Sequence, residues 1–211
     1  MKKDEIKEKF HAWRKEFGEH KKKIILAVIF LIIAFVLDYL SGIYVTKKGG
    51  VVASDLILDN IPPIDLSFLF VWLYLLVLSI IILYPFLVKP RRIHYIIGIF
   101  SSFVLTRSIF ICFTHLKTPL EAIPANFPWI LERLNFNNDL FFSAHTGLPF
   151  LGFLMFRKDN KVLAYFMLAS SIVLGATVLL MHQHYSIDVF SAFFITYGVY
   201  KIGDLIFKKK D

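Results

Sequence analysis

Two short stretches of the chain carry reactive side chains at spacings that chemistry can use. His184 and Asp188 are four residues apart, so on a helix they share a face and can hydrogen-bond. A carboxylate on one imidazole nitrogen fixes the tautomer and raises the nucleophilicity of the other. His145 belongs to a separate segment, beside Ser143 and Thr146, and can supply the proton that a leaving group needs. Arg107 offers a planar, permanently charged fork suited to phosphate oxygens. Nucleophile, orienter, acid and anion clamp together describe phosphoryl transfer through a phosphohistidine. Singly these signals are weak. His-x-x-x-Asp alone is more often an interfacial structural pair, Ser-x-His-Thr is equally cheap, and a lone arginine can simply snorkel to headgroups.

The elements that must position these residues are membrane helices. Of the 211 residues 57% are hydrophobic, 23 are Phe and only 19% are charged, against roughly 25% charged in a soluble domain. An apolar span needs about 20 residues to cross the hydrocarbon core. Six are read, over roughly 24–45, 67–88, 94–113, 142–156, 162–181 and 185–206; the fourth is short and can extend backward through Leu140. Ahead of them Ile6, Phe10, Trp13 and Phe17 recur at helical spacing among Lys and Glu, the pattern of an amphipathic helix on the membrane surface. The expected fold is therefore all-α: a cytosolic amphipathic helix over 1–23, then a six-helix membrane core over 24–211.

Most of the 24 Lys and Arg fall in the N-terminal arm, at 89–92, at 157–161 and near the C-terminus, which sets both termini in the cytosol. The segments 46–66 and 114–141 then face outward with the tight turn at His182, which is read as solvated. The 114–141 stretch, with Pro119, Pro124 and Pro128 beside Phe127, Trp129 and Ile130, is expected to lie in the outer interface as a short helix or re-entrant piece. On this topology Ser143, His145, Thr146, His184, Asp188 and Arg107 meet at one depth on the outer side, a coincidence that the choice of spans did not force. Intramembrane polar residues are functional hypotheses by default. Asp38 is either the partner of Arg107 or an unrelated buried acid, and Asp204 reads as an interfacial pair with Lys201. The net charge of +8 flanks apolar runs and so does not indicate nucleic acid. The lone Cys112 excludes an internal disulfide, and no cleavable signal peptide precedes Ile24.

At these residues the sequence resembles the lipid phosphate phosphatase superfamily, and more closely its sphingomyelin synthase-like branch. Asn138-Asp139-Leu140-Phe141-Phe142-Ser143-Ala144-His145-Thr146 is similar to the branch's Gly-Asp-x-x-x-Ser-Gly-His-Thr motif. His182-Gln183-His184-Tyr185-Ser186-Ile187-Asp188-Val189 is similar to its His-x-His-Tyr-Thr-x-Asp-Val motif. Arg107 with Thr118-Pro119 resembles its arginine segment, and Pro62, Pro63 and Asp65 resemble the segment before its second span. The resemblance implies a catalytic His145, His184 and Asp188. His184 attacks phosphorus, Asp188 orients it, and His145 protonates the departing alcohol. Arg107, Ser143, Asp139 and Tyr185 would bind the phosphate or headgroup, with no metal and no cofactor. The donor would be a membrane phospholipid, and the acceptor a lipid alcohol or water.

Some positions depart from the pattern. Ala144 replaces the usual glycine and Ser186 the usual threonine. No Lys-x6-Arg-Pro motif occurs, and Val178 stands where phosphatase members carry an arginine six residues before the nucleophile. Fewer cations favour a phosphodiester over a dianionic monoester, leaving a lipid phosphate monoesterase as the alternative. A metal-dependent oxidase is disfavoured by too few outward histidines. A non-catalytic lipid-binding or scramblase-like protein keeps the fold without the chemistry. The expected location is a multi-pass inner membrane of a prokaryote, with the site on the extracytoplasmic face. Headgroup, acceptor and oligomeric state are not legible.

Overall fold

In hydrocarbon every backbone N–H and C=O must be satisfied within its own segment, so apolar runs become helices. The structure of the chain, a computed structural model, describes residues 3–88, 92–129 and 136–207. Its helices are α1 (Lys3–Lys48), α2 (Tyr74–Leu87), α3 (Ile93–Phe113), α4 (Ala144–Phe156), α5 (Lys161–Leu180) and α6 (Ser186–Phe207). A π-helical turn at Leu69–Leu73 leads into α2. Among the described residues there is no strand, only an isolated bridge between Val51 and Leu116.

Five of these helical stretches are long and apolar enough to cross a membrane: Phe17–Lys48, Leu69–Leu87, Ile93–Phe113, Lys161–Leu180 and Ser186–Phe207. The remaining expected span, the fourth, is shorter. α4 has 13 residues, about 20 Å at 1.5 Å per residue, and it does not extend back through Leu140. Ser143 is extended, with ψ 116°. The Asp139 and Phe142 carbonyls accept from Arg107 instead of feeding a helix.

The N-terminal arm is continuous with α1, interrupted at His20, whose φ −122° and ψ 18° are not helical. Trp13 donates its indole N–H to the Phe86 carbonyl at 2.9 Å and stacks on the Phe86 ring, so the arm meets the C-terminal end of α2. Ile6 and Phe10, half of the expected apolar stripe, lie outside the described side chains. So do Lys89, Arg91, Arg133 and Lys208 to Lys210, which the charge argument used, and Ile130. Within the 114–141 segment, expected to hold a short interfacial helix or re-entrant piece, 114–128 is irregular, Trp129 is helical, and 130–135 lie outside the described residues.

α1 packs on α3, α4 on α5, and α6 on both α3 and α4. Ile81, Ile99, Phe103, Phe142, Leu151 and Met167 fill the space between them. The outside is as apolar as the inside. Phe194 and Leu205 are 79% and 84% exposed, and only 17% of the most apolar window of α1 is buried. Apolar surface on that scale fits lipid rather than water. α4 comes close to α6 and α3 at Gly147, where a Cβ would lie 2.8 Å from Thr196 Oγ1 and 2.9 Å from the Phe103 ring. At the far ends, Asn160 caps α5 by accepting from Leu163 N–H, and Arg92 pairs with Asp159. Asp204 accepts from Tyr95 at 2.7 Å, while Lys201 lies over the Tyr197 ring.

Candidate active site

α4 and α6 begin side by side. The Ser143 N–H donates to the Asp188 carbonyl at 3.1 Å, tying the start of one helix to the first turn of the other. α5 reaches α6 through a tight reversal in which His182 N–H donates to Leu179 and Gln183 N–H to Val178. His182 takes a left-handed φ of 53° there, costly for a residue with a Cβ and frequent at functional turns. The sequence suggested a solvated His182, yet it is 3% exposed, with Nδ1 4.0 Å from Glu121. The turn folds inward, under the loops that precede α2 and follow α3.

Asp55 anchors that turn. Its Oδ2 accepts from Ser186 N–H at 2.6 Å and Ser186 Oγ at 2.8 Å, and its Oδ1 from the N–H groups of Ile57 and Leu58. A side-chain acceptor at a helix start satisfies N–H groups that have no partner inside the helix. Burial alone would raise the Asp55 carboxyl, but the Ser186 and backbone hydrogen bonds outweigh it and hold it below the usual carboxylate range. Sequence reading passed over Asp55 because nothing in a loop-to-loop spacing marks a contact 131 residues away. The flagged Asp65 only closes a local turn, accepting from Ser67 N–H and Oγ.

His184 Nδ1 lies 3.3 Å from Asp188 Oδ2, and the Tyr185 N–H donates to the same oxygen at 3.0 Å. Asp188 is fully buried, so its carboxylate cannot be screened by water and acts on the imidazole directly. A 3.3 Å separation is longer than the roughly 2.8 Å of a charge-assisted bond, a pairing that shortens as the imidazole becomes cationic.

His145, one residue into α4, is buried and lies within electrostatic reach of His184 and Arg107. Its ring stacks on Phe70 at 4.0 Å and on Tyr74 at 4.1 Å. Its Nε2 is buried with no hydrogen-bond partner among the described residues. Leaving such a nitrogen unpaired costs about 1–3 kcal/mol, a cost that a reactive group repays once substrate arrives. The sequence analysis missed Phe70 and Tyr74; the π-helical turn that carries Phe70 has no sequence signature.

Arg107 is occupied by its own chain. Nε donates to the Phe142 carbonyl at 3.0 Å, and the two terminal nitrogens reach Asp139 Oδ2 at 2.9 Å and Oδ1 at 2.8 Å. The guanidinium therefore ties α3 to the 139–142 turn that precedes α4. Asp38 lies within electrostatic reach of Arg107 and Asp139 and accepts from Ser108 Oγ at 3.1 Å. Ser143 is fully buried, its Oγ accepting from Thr146 Oγ1 at 3.4 Å. The Tyr185 hydroxyl donates to the Lys117 carbonyl and accepts from Ala53 N–H, joining two loops. Beside it opens a cleft of about 640 Å³, lined among others by Asp59, Glu121 and His182. Among the described residues no three His, Cys, Asp or Glu side chains are grouped as metal ligands.

Residues 138–205 match the family described as PAP2 superfamily C-terminal. No curated protein matches the chain. The matched stretch spans nearly all of α4 to α6 and holds His145, His184 and Asp188, and it supports the lipid phosphatase superfamily and a phosphatase-type lipid enzyme.

Proposed function

We propose that the chain is an integral membrane enzyme that moves a phosphoryl or phospho-head group from a phospholipid through a phosphohistidine, in the manner of sphingomyelin synthases. In the first step His184 Nε2 forms a bond to phosphorus as the bond to the diacylglycerol oxygen breaks. His145 gives its proton to that oxygen, and Asp188 stabilises the imidazolium left on His184. In the second step an acceptor hydroxyl passes its proton to His145 while its oxygen attacks phosphorus and the P–N bond breaks. A lipid alcohol as acceptor makes a new lipid; water releases the phospho-head group. Arg107 contributes by holding the Asp139–Phe142 turn and placing positive charge beside the phosphate, with Ser143 and Tyr185 fixing the helix start and the loops above it.

What carries this reading is the juncture of α4 and α6: Ser143 N–H on the Asp188 carbonyl at 3.1 Å, Asp188 Oδ2 beside His184 Nδ1 at 3.3 Å, and a buried, unpartnered His145 Nε2. A phosphodiester donor is preferred because the extra cations that a monoester would need are missing from the sequence. The site would face the extracytoplasmic side, with both termini in the cytosol. Purified protein given a phospholipid labelled in its headgroup should yield either free phospho-head group or a new labelled lipid. His184→Ala should yield neither. Release of headgroup by His184→Ala at the wild-type rate, or turnover of phosphatidic acid alone, would overturn the proposal.

A further inference from the structure

His145 is flanked by two aromatic rings from one helical segment. Phe70 lies in the π-helical turn and Tyr74 opens α2, four residues apart. Both rings lie nearly parallel to the imidazole, tilted by 25° and 29°, with centroids 4.0 and 4.1 Å away. Two rings that close and that parallel cannot share one face of an imidazole without colliding with each other, so they cover opposite faces. Phe127 adds a third, tilted ring at 6.3 Å. Only the edges of the imidazole are left uncovered, and its Nε2 edge has no hydrogen-bond partner among the described residues.

We infer that Phe70 and Tyr74 are positioning residues for His145: they clamp both faces of its ring, so that the proton-bearing edge points at the leaving oxygen. The inference rests on the proposed phosphoryl transfer for its kinetic consequence, but not for its geometry. An imidazole between two π faces cannot rotate about its Cβ–Cγ bond without separating them. The same faces stabilise the ring in its cationic state, since aromatic quadrupoles attract a desolvated cation. The π-helical turn fits this role, because such turns recur at functional sites where a side chain must be re-aimed.

The test uses the full-length protein in lipid nanodiscs, with Phe70→Leu, Tyr74→Leu and the conservative Tyr74→Phe. Carbethoxylation of His145 by diethyl pyrocarbonate is followed by peptide mass spectrometry, with exposed His11 as the internal reference. In parallel, kcat and KM are measured on a short-chain phospholipid. Each leucine variant should expose His145, raising its modification rate about tenfold relative to His11, and lower kcat about tenfold with KM little changed. Tyr74→Phe keeps the ring face and should behave as wild type in both assays. Unchanged His145 reactivity in both leucine variants would overturn the inference, as would a Tyr74→Phe defect equal to that of Tyr74→Leu, which would assign the effect to the hydroxyl. If a leucine variant does not fold, Phe70→Met, with a flexible side chain of similar length, is read by the same two criteria. Should the wild type turn over no phospholipid, the proposed function fails, while the modification rates still decide whether the clamp exists.

Discussion

Single residues of the site divide into those that would touch the reacting atoms and those that hold them still. In the proposed mechanism Arg107 belongs to both sets: it would place charge near the phosphate, and it bonds Asp139 and the Phe142 carbonyl. A lysine keeps the charge and loses the fork. Arg107→Lys should therefore leave a folded enzyme with turnover lowered about 10- to 100-fold, from loss of one or two charge-assisted bonds. Arg107→Ala strands Asp139 beside Asp38 and should lower stability by about 3–5 kcal/mol, visible as early loss of monodisperse protein on heating in detergent. Equal activity for Arg107→Lys and wild type would show that the fork is dispensable. The pairing of His184 with Asp188 was legible from their spacing of four, although His184 stands in the turn before α6 and meets Asp188 in the helix's first turn. Phe70 and Tyr74 were not, since stacking against His145 depends on how α2 packs on α4, about 70 positions away in the chain.

Between elements, the decisive contacts are made by loops that fasten helix ends. Asp55 fixes the first residue of α6, and its carboxyl is held below the ordinary range. A group with a depressed folded-state value stabilises fully above its unfolded value and loses that contribution as pH falls through the folded one. Wild type should thus be more heat-stable than Asp55→Asn at neutral pH, and the gap should close below about pH 3.9, the unfolded carboxylate value. Melting curves followed by tryptophan fluorescence from pH 3 to pH 7, on the order of the range over which carboxylates titrate, would check it. A gap that widens on acidification contradicts the role. The long spans were legible from hydropathy almost to their ends, because hydrocarbon leaves a run of twenty-odd apolar residues no alternative to helix. α4 was not. The sequence shows apolar residues through Leu140, but Arg107 captures the carbonyls there, and no local pattern reveals a tertiary competitor for backbone groups. The 114–141 stretch reads as a short interfacial helix or re-entrant piece, but its prolines and the bridge from Leu116 to Val51 leave 114–128 irregular, with 130–135 outside the described residues.

For the whole molecule, the proposed enzyme would work where lipid headgroups begin, because its exterior is apolar and its polar juncture is buried where α4 and α6 start. The orientation proposed for it makes a simple demand. In a Cys112→Ala background, Val52→Cys beside the cleft should react with a membrane-impermeant maleimide added outside intact cells, and Lys161→Cys at the start of α5 only after lysis. The reverse pattern would put the juncture in the cytosol. The proposed phosphohistidine is a covalent intermediate and can be trapped as one. Protein mixed with phospholipid carrying a labelled phosphate, quenched within one turnover in alkali and digested, should yield a base-stable, acid-labile label on the His184 peptide. That label should persist longest when the acceptor is withheld, and should vanish in His184→Ala. Label on the His145 peptide alone would exchange the two roles. Turnover at full rate with no label on either histidine would contradict the mechanism outright.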